Sequence, residues 1–221
     1  MGYTTSFKGA FKLDRELEPD HKKYLAMFSS TRRMERDPNK IFETKTPCVG
    51  NVKPMNQECL NLLKKVGLEL GPEGDYYCGT GMCGQDRDKS ILDYNHPPSG
   101  QPCLWCQWVP VEDGKGIEWD GNEKFYEYTK WLEYLVGHFL KPWGYSLSGK
   151  VKWQGEDSDD KGILVADKNK VKAYSTEEYK VLKTSRKELP LLISRLKTAG
   201  GKAALEKKLK RGLSSVQKSV S

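Results

Sequence analysis

Histidine is scarce in this chain: His21, His96 and His138 are the three in 221 residues, and none stands at a telling spacing from a serine or cysteine. No Ser-His or Cys-His nucleophile pair is therefore readable. Neither G-x-x-x-x-G-K-S/T nor G-x-G-x-x-G occurs, so there is no glycine loop of the kind that cradles nucleotide phosphates. No apolar run reaches the roughly 18 residues that a transmembrane segment needs, and the N-terminus lacks a secretory signal. An intracellular protein, or one within a virus particle, is expected rather than a classically secreted one.

What the chain has is tryptophan, all of it in one stretch. Trp105, Trp108, Trp119, Trp131, Trp143 and Trp153 fall between Gln101 and Lys172, which concentrates there the largest apolar surfaces available to a core. Leu104 to Pro110 and Ile117 to Trp119 read as two short strands, joined by a turn in which Glu112, Asp113, Gly114 and Gly116 supply polar and positive-φ positions. One long helix is expected next, at about 122–140, with Asn122 as N-cap and Glu123 where the helix dipole favours an acid. Phe125, Tyr128, Leu132, Leu135, Val136 and Phe139 then fall within an arc of about 100° at 3.6 residues per turn. Pro142 and Gly144 end it. Tyr145, Leu147, Gly149, Val151 and Trp153 alternate with polar residues as a half-buried strand does, and a second hairpin closes on Ile163, Val165 and Val171, with its turn at Asp167 to Asn169.

Nearer the N-terminus, Tyr3, Thr5, Phe7, Gly9, Phe11 and Leu13 also alternate and read as a first strand. Met1 to Ser6 fits the M-G-x-x-x-S acylation pattern too, but the bulky Tyr3 suits it poorly. A helix should begin near Pro19 and bring Tyr24, Leu25 and Phe28 onto the sheet. Glu58 to Val66 reads as a short amphipathic helix. The fold class is α+β: an antiparallel sheet with the long helix packed on a face, followed by a helical basic C-terminal extension. Residues 1–173 form the α+β domain, with an irregular insertion at about 38–100 that is rich in proline and glycine. Residues 174–221 form the basic helical tail.

In the tail, Ser175 or Thr176 with Glu178 is a partial capping signature, and Tyr179, Leu182, Leu189, Leu192, Ile193 and Leu196 are an apolar set interrupted at Pro190. Beyond Gly200 and Gly201, the cations Lys202, Lys207, Lys208, Lys210, Arg211 and Lys218 stand apart from an apolar edge of Ala203, Ala204, Leu205, Leu209 and Leu213. Residues 174–221 carry 12 Lys/Arg against 4 Asp/Glu, net +8, so of the chain's +7 the first 173 residues hold −1. Those cations can neutralise nucleic-acid phosphates, meet an acidic protein or an anionic lipid surface, or simply be solvated. No aromatic residue follows Tyr179, so tail contact with nucleic acid is to its backbone.

The strings GQPCLWCQWVP, IEWDGNEKFYEYTKWLEYLV and HFLKPWGYSLSGKVKWQGEDSDD, with the opening MGYTTSF and FSSTRRMERD, resemble a widespread family of small uncharacterised proteins of bacteria and their phages. The resemblance spans both ends of residues 1–172. It implies a shared α+β fold and no particular chemistry. Lys45 to Leu70 and the chain beyond Tyr174 depart from the family's usual short form, and Cys103 with several other cysteines falls where that family does not have cysteine.

Three groups are candidate sites. Cys78 and Cys83, with Cys103 and Cys106, form two short-spaced pairs able to hold a structural zinc, to be oxidised, or to stay reduced; C-x4-C is less diagnostic than C-x2-C, and an extended strand would point Cys103 and Cys106 to opposite faces. Arg32, Arg33 and Arg36 can grip an anion bidentately or pair locally at the surface. Glu156, Asp157, Asp159 and Asp160 crowd one loop, while Glu118, Asp120 and Glu123 flank the expected helix start. Side by side, they would offer oxygen ligands to a hard divalent cation; otherwise they serve turns and solubility. Two functions follow. One is a non-enzymatic binding or assembly protein, a viral or large-complex component with protein partners, whose tail contacts nucleic acid or an acidic partner. The other is a small metal-dependent enzyme using Glu118, Asp120, Glu156, Asp157 and Asp160.

Overall fold

The computed structural model describes residues 2–37, 39–40, 57–69 and 90–185. The chain divides into two units, Met1–Ser175 and Thr176–Ser221. In the second, residues 176–185 are helical, and the tail cations from Lys202 to Lys218 lie outside the described residues. The first unit is mixed α+β with a mainly antiparallel sheet.

Strands β1 (Ser6–Lys8) and β2 (Ala10–Leu13) open the chain. Both pair with the later strand Leu147–Gln154 in one uninterrupted register, Ser6 opposite Gln154 and Phe11 opposite Gly149. They are one strand interrupted at Gly9, whose φ of 109° suits glycine. The expected alternation holds: Thr5, Phe11 and Leu13 are buried, while Ser6, Lys8 and Lys12 are exposed. Helix α1 (Pro19–Ser29) starts on its proline and buries Tyr24, Leu25 and Phe28 as expected. After it come β3 (Glu35–Arg36), α2 (Gln57–Lys65) and β4 (Ile91–Asp93), with β3 and β4 paired as a small separate sheet. Within the expected insertion, residues 41–56 and 70–89 lie outside the described residues. Leu62, Leu63 and Val66 of the α2 region join the core, and the Trp143 indole donates to the Val66 carbonyl at 2.8 Å.

The hairpin of β5 (Trp108–Pro110) and β6 (Gly116–Trp119) leads to α3 (Tyr128–Leu135), continued by a π turn at Val136–Leu140. Then follow β7 (Leu147–Gln154), β8 (Lys161–Asp167) and β9 (Lys170–Ser175). The sheet order is β5-β6-β2-β7-β8-β9, with β1 also on β7.

The helix expected at about 122–140 is shorter at its start. Asn122 caps nothing; its main-chain and side-chain amides donate to the Asp120 carboxylate at 2.9 and 2.8 Å. Lys124 and Glu127 take φ of 60° and 54°, and the helix begins only at Tyr128. Core packing overrides the local capping signal. Phe125 is inserted among Phe7, Trp108 and Tyr128, and the Trp108 indole donates to the Tyr128 carbonyl at 2.8 Å. A left-handed non-glycine residue costs about 1–2 kcal/mol, which burial of a whole phenyl ring offsets. The far end behaves as expected: Gly144, at φ 79°, closes it, and the Tyr145 amide donates back to the Leu140 carbonyl.

One face of the sheet packs Phe11, Ile117, Leu147, Val151, Leu164 and Ala166 against α1 and α3, where Phe28, Trp131, Leu132, Leu135 and Phe139 are fully buried or nearly so. Phe7 touches Trp108, Trp119, Phe125 and Tyr128 edge-on with centroids 4.9–5.8 Å apart, an arrangement favoured by the aromatic quadrupole. In the same core, Tyr24 and Phe28 of α1 meet Phe139 and Trp143 as a second aromatic group. These rings hold the elements at angles that leave a groove beside β5.

Candidate functional site

That groove has a volume of about 800 Å³ and lies between the end of α1 with Arg32, the 103–107 segment, and the loop from Asp120 to Tyr126. Buried Gln107 builds one wall. Its side-chain amide donates to the Glu123 carbonyl at 3.0 Å, its side-chain oxygen accepts from the Trp119 indole at 3.1 Å, and its main-chain oxygen accepts from Asp120. Three bonds from one residue therefore fix the strained 120–127 loop against the sheet edge. On the opposite wall, Ser29 donates to the Trp108 carbonyl at 2.6 Å and so pins the end of α1 to β5.

Trp105 lines this groove and, alone of the six tryptophans, belongs neither to the buried core nor to the shell packed against it. Trp108 and Trp131 are fully buried, and Trp119, Trp143 and Trp153 pack on the core. A large indole at the edge of a mostly apolar cleft is the kind of anchor that partners and ligands engage. The sequence offered no signal to separate Trp105 from its five counterparts.

The three arginines each have a different setting. Arg33 is fully buried, its guanidinium 4.1 Å over the Phe28 ring and its Nε donating to Gln101 at 3.1 Å. Arg32 stacks 4.5 Å from the Tyr94 ring and donates to the Tyr94 carbonyl. Arg36 donates to Ser90 at 2.8 Å. Arg33 therefore serves the interior, and a common bidentate grip by all three is not what their contacts form.

The carboxylates are likewise distributed. Asp160 accepts from the Tyr3 hydroxyl at 2.5 Å and Glu156 from the Thr4 amide at 2.7 Å, so the loop after β7 fastens the N-terminal segment. The bond to Asp160 raises the Tyr3 pKa above its usual value. Asp120 is engaged with Asn122 on the far side of the central strands. Among the described residues no three His, Cys, Asp or Glu side chains gather where a metal ion would be held.

Cys103 and Cys106 are free thiols, the first half-buried at the groove and the second fully buried. Burial pushes the Cys106 thiol up to about 12, which disfavours the thiolate a zinc ligand must become. Cys78 and Cys83 lie outside the described residues. Of the histidines, His21 stacks on Trp143 at 4.1 Å and meets the Tyr145 hydroxyl at 2.9 Å, His96 bonds Asp93, and His138 stacks on Tyr134 at 3.9 Å. Among the described residues no helix is long and apolar enough to cross a membrane.

Compared with protein-family models, with curated proteins and with solved structures, the chain matches none. The resemblance to small bacterial and phage proteins gains no support from them.

Proposed function

We propose that the protein is a non-enzymatic binding or assembly component, belonging to a large complex such as a virus particle, whose basic tail contacts a polyanion. The observation that carries this reading is the uneven charge: net +8 over residues 174–221 against −1 for the rest. A cationic segment beside a nearly neutral body suits contact with phosphates, because each phosphate neutralised releases condensed counterions. The acidic face of a protein partner has the same sign and is the other candidate polyanion. The groove at Trp105 supports the same reading, since an indole at the edge of a cleft suits engagement by a protein partner.

The test uses the full chain and a form in which Lys202, Lys207, Lys208, Lys210, Arg211 and Lys218 are all glutamine. Gel retardation of arbitrary DNA and RNA is expected at low salt, with steep weakening as salt rises, and the six substitutions should lower that salt dependence. Native co-purification with an acidic protein instead of nucleic acid would select the other polyanion. Retardation that the six substitutions leave unchanged, or a tail that captures neither, would defeat the reading.

A further inference from the structure

The groove at Trp105 lies against β5, an edge strand of the main sheet, yet that edge is closed to the addition of another strand. Main-chain groups alternate in direction along an antiparallel strand. The Gln107 carbonyl accepts from the Asp120 amide on the β6 side, so the groups of Trp108 and Pro110 face outward. The Trp108 carbonyl is taken by the Ser29 hydroxyl at 2.6 Å, and Pro110 has no N–H to donate. An occupant of the groove must therefore be held by side chains. Two of these are aromatic: Trp105 is half-buried and Tyr126 is 45% exposed. Neither the Trp105 indole N–H nor the Tyr126 hydroxyl has a hydrogen-bond partner among the described residues. In the same loop Asp120 and Glu123 are exposed and belong to no ion pair among the described residues; Asp120 bonds the neutral Asn122. Lys124 beside them lies with the end of its chain near Gly2, so two carboxylates stand against one ammonium. On the α1 side the Arg32 guanidinium is held on Tyr94.

We infer that this groove docks a proline-rich segment of a partner protein, in the polyproline II conformation and with a basic residue at one flank. The inference rests on the proposed reading of the body as a binding component and names the chemistry of its partner. An indole N–H can only donate, and the Tyr126 hydroxyl has its proton to give, so the occupant that fits brings free acceptors. A docked helix brings none along its length, because its carbonyls are already bonded within the helix. An added strand has carbonyls to offer but needs the main-chain edge that Ser29 and Pro110 close. A polyproline II segment has no internal hydrogen bonds, so its carbonyls stay free, and its rings pack in aromatic-lined grooves. It also arrives preformed, which lessens the ordering entropy lost on binding. Proline carries no charge to meet Asp120 and Glu123, and a lysine or arginine beside the prolines supplies it. Arg32 repels a second cation on the α1 side, so charge favours one basic flank rather than two.

The test follows the fluorescence anisotropy of a labelled oligoproline with one flanking arginine as the full chain is added. Three comparison probes are a glycine-serine peptide with the same arginine, an amphipathic helical peptide of equal net charge, and an oligoproline with glutamate in place of the arginine. The full chain should bind the first probe about tenfold more tightly than any of the three. Trp105→Ala, at an unchanged melting temperature, should weaken that binding about thirtyfold, the lower end of the loss at an interface hot spot. Glu123→Gln should weaken it only about two- to fivefold and reduce its salt dependence, as loss of a rim charge does. On the unaltered chain, the bound probe should protect Cys103 in the groove from maleimide, a readout that needs no variant to fold. Equal binding of the glycine-serine peptide, tighter binding of the helical one, an unchanged affinity in Trp105→Ala, an unprotected Cys103, or no binding of the oligoproline would each overturn the inference. The tail is read separately: the six-fold glutamine tail should bind the oligoproline as the full chain does, and Trp105→Ala should retard DNA as the full chain does. Oligoproline binding by a protein that retards no nucleic acid would leave the groove standing and defeat the tail's contact with nucleic acid; retardation without oligoproline binding would defeat the groove alone.

Discussion

Adding one methyl group at Gly116 and the same group at Gly137 should move stability in opposite directions. Gly116 begins β6 opposite Lys12, and a Cβ there would collide with the carbonyl oxygen of Phe11. That oxygen is main chain in the middle of the sheet, so relief requires β2 and β6 to separate locally. Overpacking of this kind costs about 1–3 kcal/mol, and one ladder hydrogen bond lost with it about 1 kcal/mol more. The sum, about 2–4 kcal/mol, is a large share of the roughly 5–15 kcal/mol that holds an ordinary domain folded. Gly137 is exposed in the π turn, a Cβ added to it would meet no atom within 4 Å, and it is not among the glycines at positive φ. Alanine there restricts the unfolded chain and should stabilise by about 0.5–1 kcal/mol. Urea unfolding followed by tryptophan fluorescence reads both. At a slope of about 2 kcal/mol per molar, Gly116→Ala should lower the midpoint by about 1–2 M and Gly137→Ala should raise it slightly. A Gly116→Ala midpoint equal to that of the unaltered chain would refute the close approach of β2 and β6.

Phe28→Ala should cost about 3–5 kcal/mol, because it empties a fully buried site and removes the ring under the Arg33 guanidinium; a midpoint shift equivalent to less than 1 kcal/mol would contradict that packing. Maleimide labelling of the native protein near pH 8, mapped by peptide mass, should modify Cys103 readily and Cys106 only on unfolding, since burial raises the Cys106 thiol to about 12; equal labelling of the two would mean that Cys106 is accessible. His21 titrates below its ordinary 6.5, mainly because burial disfavours the imidazolium, with the nearby Glu18 carboxylate partly opposing. The unfolded chain therefore takes up this proton more readily than the folded one. The contribution is fully present above about 6.5 and is lost as pH falls from there through the folded value. His21→Gln should flatten the decline in melting temperature between about pH 7 and pH 5, and an unchanged decline would remove His21 as its source.

The strands were legible because period-two alternation survives wherever one face is buried, as from Tyr3 to Leu13 and from Leu147 to Trp153. The ends of α1 and α3 were legible where proline or glycine acts through its own covalent geometry, at Pro19 and Gly144. The start of α3 was not. Asn122 is a good cap in isolation, but the insertion of Phe125 beside Trp108 also brings it against Phe7, more than a hundred positions away, which no local pattern carries. The same limit applies to the proposed sites. The spacing of Arg32, Arg33 and Arg36 shows three cations within five positions, yet the extended backbone there sends Arg33 to the interior and leaves Arg32 at the groove. Asp160 lies in the loop after β7 as expected, and Glu118 lies within β6, but the central β1–β2 strand runs between the two hairpins and keeps the two groups of carboxylates apart, so Asp160 and Glu156 instead fasten Tyr3 and Thr4.

Charge shows most clearly what composition hides and register reveals. A count over residues 1–173 gives −1 and describes a neutral body. Placement gives something else: four acids crowd the loop after β7, while β1, β2, β7 and β9 direct exposed lysines to a single face of the sheet, where they outnumber Glu118 and Asp167. The cause is the same alternation that builds the core. Once Val151, Leu164 and Val171 turn inward, Lys150 and Lys152, Ile163 and Val165, and Lys170 and Lys172 have only the outer side available. A one-residue slip of β9 would move its lysines into the core, so the register that secures the fold also secures the basic face. Stability and surface charge are therefore coupled along these strands, and the aromatic packing that holds the register has a consequence on the side of the sheet it never touches.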